Sequence, residues 1–116
     1  MANDKLSELS MEFAVEIINL VRELKERRES IISNQIGRSG TSIGANCKEA
    51  IYAQSTLDFI NKLSIALKEA SETEYWLDLL HDSQYIDDKS YESIQQECVE
   101  IIKLLTSIIK TTKSTL

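Results

Sequence analysis

Gly37-Arg38-Ser39-Gly40-Thr41-Ser42-Ile43-Gly44-Ala45-Asn46 holds all three glycines of the chain, and its reading decides the fold. One reading makes the run a loop that cuts its segment in two. The other keeps it helical, with Gly37, Gly40 and Gly44 on one side, where small residues let another backbone approach closely. The continuous helix is preferred. Ile32, Ile36, Ser39, Ile43, Cys47 and Ala50 hold one helical phase across the glycines. This segment is expected to run from about Ser30 to Gln54.

Outward from it, three more helical segments are expected. The first runs from about Ser7 to Arg28, with Leu6, Leu9, Phe13, Ile17, Leu20 and Leu24 at spacings of three and four. Ala14, Ile18 and Val21 widen that stripe. Its acids come early and its bases late, which suits the helix dipole. The third runs from about Thr56 to Asp82, with Ser55 as N-cap and Asp58 in the first turn. Its heptad-like seam is Phe59, Leu63, Ala66, Ala70, Thr73, Leu77 and Leu80, with Ile60, Leu67, Trp76 and Leu79 beside it. The fourth runs from about Asp88 to Thr112 behind an Asp87 N-cap, and Ile86 and Tyr91 are spaced as a hydrophobic staple. Its inward seam is Tyr91, Ile94, Cys98, Ile101, Leu105 and Ile108, which leaves Ile102, Leu104 and Ile109 outside.

The chain has 116 residues and no proline, so long uninterrupted helices fit and one domain, residues 1–116, is expected. Short connections make consecutive helices antiparallel. The fold class is therefore all-α, an antiparallel up-down-up-down four-helix bundle. No apolar run approaches the ~20 residues of a bilayer span. Met1-Ala2-Asn3-Asp4-Lys5 lacks the basic flank and apolar stretch of a signal peptide, so a cytoplasmic location without a membrane partner is expected. Cys47 and Cys98 read as small core residues.

Catalytic and cofactor chemistry finds no constellation. A di-metal bundle site needs two Glu-x-x-His pairs. This chain has one histidine, His81, at the right spacing from Asp78, and no second. No metal, cofactor, catalytic residue or small-molecule substrate is expected, and Gly44-Ala45-Asn46 is no Walker loop. Ser39, Thr41 and Ser42 read as packing residues or back-bonded hydroxyls. Asn46, Glu49, Glu72 and Tyr75 fall near the seams. A buried network that fixes register is preferred for them over a ligand site.

Net charge is −6, which opposes non-specific nucleic-acid binding at long range. Residues 49–100 carry twelve acids against three lysines, whereas 22–48 are net basic. Arg22, Lys25, Arg27, Arg28 and Arg38 form the best candidate surface for an RNA or DNA backbone, or for an acidic protein. The ordinary reading is a solvated helix end laced with ion pairs to Glu23, Glu26 and Glu29. On the last helix, Ile101, Ile102, Leu104, Leu105, Ile108 and Ile109 cover more surface than one core needs. Self-association is the expected answer, with Ile102, Leu104, Ile109 and Trp76 at the interface.

The stretch Arg38-Ser39-Gly40-Thr41-Ser42-Ile43-Gly44-Ala45-Asn46-Cys47-Lys48-Glu49-Ala50 resembles a family signature. So does Phe59-Ile60-Asn61-Lys62-Leu63-Ser64-Ile65-Ala66-Leu67-Lys68-Glu69-Ala70, followed by Glu72-Thr73-Glu74-Tyr75-Trp76-Leu77. Both resemble the 23S rRNA intervening-sequence proteins, or four helix bundle proteins, a family that includes the accessory variability proteins of diversity-generating retroelements. The resemblance implies an up-down bundle that assembles into a ring-like homopentamer without enzymatic activity. The retroelement accessory proteins are strongly basic and bind nucleic acid and a reverse transcriptase. This chain departs from them in its acidic balance, in Gly44 where many relatives have proline, and in Lys48-Glu49-Ala50 where they have Ala-Glu-Gly.

Overall fold

The computed structural model describes residues 2–116, with side chains from residue 4 onward. Met1, where the leader and domain readings begin, lies outside the described residues. The helices are α1 (Ala2–Glu26), α2 (Ile31–Ile51), α3 (Thr56–Asp82) and α4 (Asp88–Lys113). Each packs on its chain neighbours, and α1 closes the ring on α4. The bundle measures 47 × 21 × 19 Å. No helix among the described residues is long and apolar enough to cross a membrane.

The glycine run is helical throughout, inside an unbroken α2. A Cβ at position 40 would lie 2.9 Å from both γ-carbons of Ile17 on α1. Gly40 and Ile17 are both buried, so only glycine admits this approach of the two helices. Gly44 differs: a Cβ there would meet Ser10 at 3.5 Å, an ordinary contact.

The core follows the heptad spacing read from the sequence. Phe13, Ile17 and Leu24 of α1 meet Ile36 and Ile43 of α2, Leu63, Leu77 and Leu80 of α3, and Ile101 and Leu105 of α4. Each such side chain contributes about 1.5–3 kcal/mol by leaving water. At two places neighbouring residues trade the expected roles. On α3, Ile60 is buried while Phe59 is half-buried. On α4, Ile109 is buried and Ile108 half-buried, the reverse of the expected order. A helix at 3.6 residues per turn drifts ~20° per heptad, so toward the end of α4 the residue after Ile108 has rotated onto the core.

Helix ends are set by capping. Ser55 accepts from the Asp58 N–H at 3.1 Å and Asp87 from the Ser90 N–H at 2.7 Å, as expected. At α2, Ser30 makes no side-chain cap bond. Glu29 caps instead: its carboxylate accepts from the N–H groups of Ile31 and Ile32 at 3.0 Å and of Ser33 at 2.7 Å. It is 6% exposed, so the expected solvated ion-pair role of Glu29 is corrected. A carboxylate here satisfies the orphan donors and meets the positive end of the helix dipole.

α1 begins earlier than expected, because its polar first turn carries no apolar period. It stops at Glu26 because Arg28 takes φ 64°. The Glu29 N–H then donates to the Leu24 carbonyl at 2.8 Å, and that of Arg28 to Lys25 at 3.0 Å, a Schellman closure. The α3–α4 turn repeats it with Gln84 at φ 68° and Tyr85 donating to Leu80.

These contacts set measurable stabilities. Gly40→Ala is expected to lower stability to urea by about 1–2 kcal/mol, because overpacking outweighs a propensity gain of ~1 kcal/mol. Gly44→Ala is expected to be neutral or stabilising by up to ~1 kcal/mol. Equal midpoint shifts for the two would contradict this account of the α1–α2 approach. Glu29→Ala is expected to cost about 1–2 kcal/mol through the lost cap, read as a lower urea midpoint at unchanged slope.

Candidate functional site

Arg38 projects from α2 toward α3. Its guanidinium donates to Glu69 at 2.9 Å and also to Glu72. Glu72 in turn accepts the indole N–H of Trp76 at 2.9 Å. That indole, and then Arg38, hold the Glu72 carboxyl below its ordinary range. Beneath this cluster the hydroxyls of Ser39 and Thr73 lie 2.8 Å apart in the core, and Thr73 Oγ1 lies 2.8 Å from the Glu69 carbonyl. A carbonyl only accepts, so Thr73 donates to Glu69 and Ser39 supplies the proton between the hydroxyls. Both hydroxyl protons are thereby matched to an acceptor on the facing or the same helix. The two stretches that carry the family resemblance thus meet face to face, as a helix–helix joint.

The five basic residues do not form one surface. Arg38 is tied to α3. Arg27 donates to the Tyr85 carbonyl and lies over the Tyr85 ring, 5.2 Å from its centroid, which pins the α1 end to the α3–α4 turn. Arg22, Lys25 and Arg28 are exposed at the C-terminal end of α1 and carry no ion pair among the described residues. The expected patch therefore shrinks to these three.

The polar residues expected as a buried network are mostly at the surface. Glu49 pairs with Lys62 at 3.4 Å, Asn46 donates to the Ser42 carbonyl within α2, and Tyr75 is exposed, edge-on to Trp76. The buried polar joint is Ser39 with Thr73. Thr41 and Ser42 bond back to the carbonyls of Gly37 and Arg38, as expected.

His81 stacks on Tyr91 with ring centroids 4.1 Å apart, and its Nε2 lies 2.7 Å from Asp88 Oδ1. The Tyr91 hydroxyl bonds Asp78, which pushes it up to about 12. Among the described residues no group of three or more His, Cys, Asp or Glu is placed to hold a metal. Cys47 and Cys98 are free and buried, and burial raises them to about 11 and about 12. Thiols so raised stay protonated near neutrality.

The expected interface residues of α4 are less stranded than their periodicity suggests. Ile109 belongs to the core, and Ile102 and Leu104 are half-buried against it. Trp76 is half-buried too, anchored by Glu72. The stranded apolar surface lies elsewhere. Met11, Val15 and Ile18 of α1 are 67%, 52% and 44% exposed, and Ile51 of α2 is 52% exposed. Between the two helices runs a groove of about 510 Å³ with Met11, Ile18 and Ile51 on its walls and Ala14, Gly44 and Ala45 among its lining. Met11, Val15 and Ile18 recur at four and three residues, a second stripe that is visible in the sequence once the core stripe is subtracted.

The family model for the 23S rRNA-intervening sequence protein matches residues 3–107. No curated protein matches the chain. Among solved structures, a protein of unknown function from the S23 ribosomal protein family of Bacteroides thetaiotaomicron is 58% identical. The match covers 95% of this chain and 99% of that one, with a TM-score of 0.93. Likeness of that extent takes in all four helices of the bundle, and the chain belongs to the 23S rRNA-intervening sequence protein family.

Proposed function

We propose that this chain is a non-catalytic scaffold that works as a homo-oligomer, with copies meeting over the apolar groove between α1 and α2. The observation that carries this reading is the exposure of Met11, Ile18 and Ile51 around one groove, with exposed Val15 on the same stripe of α1. Contiguous apolar surface rimmed by polar residues marks an interaction site. The small residues Ala14, Gly44 and Ala45 suit the close approach of a helix. A second copy supplies a partial match: Ile102, Leu104 and Trp76 sit half-buried on α3 and α4, away from the groove. Two different patches on one chain make a heterologous contact, which closes into a ring when the rotation permits. The number five rests on the family resemblance, which implies a homopentamer. Such a scaffold needs no cofactor or substrate, and its place would be the cytoplasm.

A second reading is an accessory protein that contacts RNA or DNA. The exposed trio Arg22, Lys25 and Arg28 favours it, against a net charge of −6. An acidic protein would meet the same trio.

Light scattering at micromolar concentration is expected to give a multiple of the 13.2 kDa chain mass. Ile18→Glu in the groove is expected to shift the mass toward that of one chain while helicity is retained. A single-chain mass for the unaltered protein overturns the scaffold reading. For the second reading, a gel-shift series with RNA is expected to show binding that weakens with salt, and the triple change Arg22→Ala, Lys25→Ala, Arg28→Ala is expected to flatten the salt slope. No binding at low salt removes it.

A further inference from the structure

Three of the four seams of the bundle are stitched by polar bonds or a close backbone approach. Arg38 with Glu69 and Glu72, and Ser39 with Thr73, join α2 to α3. Tyr91 with Asp78, and the Cys98 thiol donating to the Ala70 carbonyl at 3.4 Å, join α3 to α4. The Gly40–Ile17 approach holds α1 on α2. The seam between α1 and α4 is different. These helices touch least, and no side-chain hydrogen bond or ion pair of the usual kind joins them among the described residues. Open cavities run along it, one lined by Glu16, Asn19, Lys89 and Ser93, another by Lys5, Glu100 and Lys103.

Glu16 of α1 shares a cavity wall with Ser93 and Ile94 of α4, and Glu97, one turn further along α4, faces it across the seam. Glu97 Oε2 is sealed from water and has no conventional partner. Two carboxylates cannot hydrogen-bond each other unless one carries a proton. We propose that Glu16 and Glu97 form a proton-operated latch, in which one shared proton ties α1 to α4 and its release to solvent loosens that seam alone. The charged groups that act on Glu97 are Glu12 and Glu16 on α1 and Glu100 on its own helix, all of one sign, so a lost proton leaves repulsion. Lys5, Lys89 and Lys103 line the cavities on either side.

Burial, first, and then the bond to Glu16 push the Glu97 carboxyl up to about 7. A carboxyl raised on folding contributes stability that is complete below its unfolded value and is lost as pH rises through the folded one. The latch is therefore closed in mild acid and opens across neutrality. It lies on another side of the ring of helices from the groove between α1 and α2, and α1 is common to both.

Amide hydrogen exchange of the full chain tests it, corrected for intrinsic rates and read helix by helix at about pH 5.5 and about pH 8.5. Protection in α1 and α4 is expected to fall by about tenfold between the two, as the bond to the shared proton is lost, while α2 and α3 keep theirs. In Glu97→Gln the amide donates to Glu16 at either pH, and the step is expected to vanish with protection at its acid value. Glu16→Gln is expected to do the same from the other side. Glu92→Gln, on the exposed side of α4, removes the same charge and is expected to leave the step intact. A step that persists in both latch variants overturns the proposal. So does a wild-type chain that loses protection equally in all four helices, or in none.

Discussion

Ile17 of α1 occupies the space where a side chain at position 40 would stand. That approach fixes how α1 lies on α2, and it requires glycine in the middle of a helix, where glycine costs about 1 kcal/mol relative to alanine. The local loss is offset because it lets two apolar faces close without a void, and voids cost more than propensity does. With α1 placed, Phe13 and Leu24 fall into the same core as Ile36 and Ile43. On its other side α2 presents Ser39 to Thr73, so the small residues position α3 as well. A run that reads locally as a helix breaker is thus the element on which two of the four seams are set.

The architecture was legible in the sequence because heptad spacing is a strong signal over helices of this length, and because absent proline leaves few places to break them. Ser55 and Asp87 were legible as caps because a short acceptor at a helix start has one dominant use. Other features were not legible. Glu29 reads as one member of a charged run, and only the tertiary fold shows its carboxylate turned onto the first turn of α2. Arg28 and Gln84 adopt left-handed backbone without the glycine that usually announces it. The exchange of Ile108 for Ile109 comes from phase drift that a strict seven-residue count ignores.

The candidate surfaces are less legible in the sequence than the fold, for a related reason. Counting apolar residues on one helix reveals an excess but not which neighbour absorbs it. On α4 the bundle absorbs most of the excess. On α1 the second stripe of Met11, Val15 and Ile18 finds no neighbour, since α2 covers only its edge with Gly44, Ala45 and Ile51. Likewise a cluster of bases in sequence does not make a basic surface. Arg27 and Arg38 are consumed by different partners, Tyr85 and the Glu69–Glu72 pair.

The distribution of polar contacts over the ring gives the bundle a direction of weakness. Opposite charges are paired across α2–α3, where the cation sits half-exposed and the Glu72 carboxyl is held below its ordinary range. Like charges meet across α1–α4, where the Glu97 carboxyl is held above it. The Glu72 pairing is complete above the ordinary carboxyl range, whereas the Glu97 contact weakens as pH rises through about 7, so across neutrality one side of the ring loosens while the other stays as it is. A bundle built of four equal seams would respond to pH as a whole. Here the contact that closes the ring, between the first helix and the last, falls at the seam that a single proton governs, and opening there leaves the paired α2–α3 seam in place.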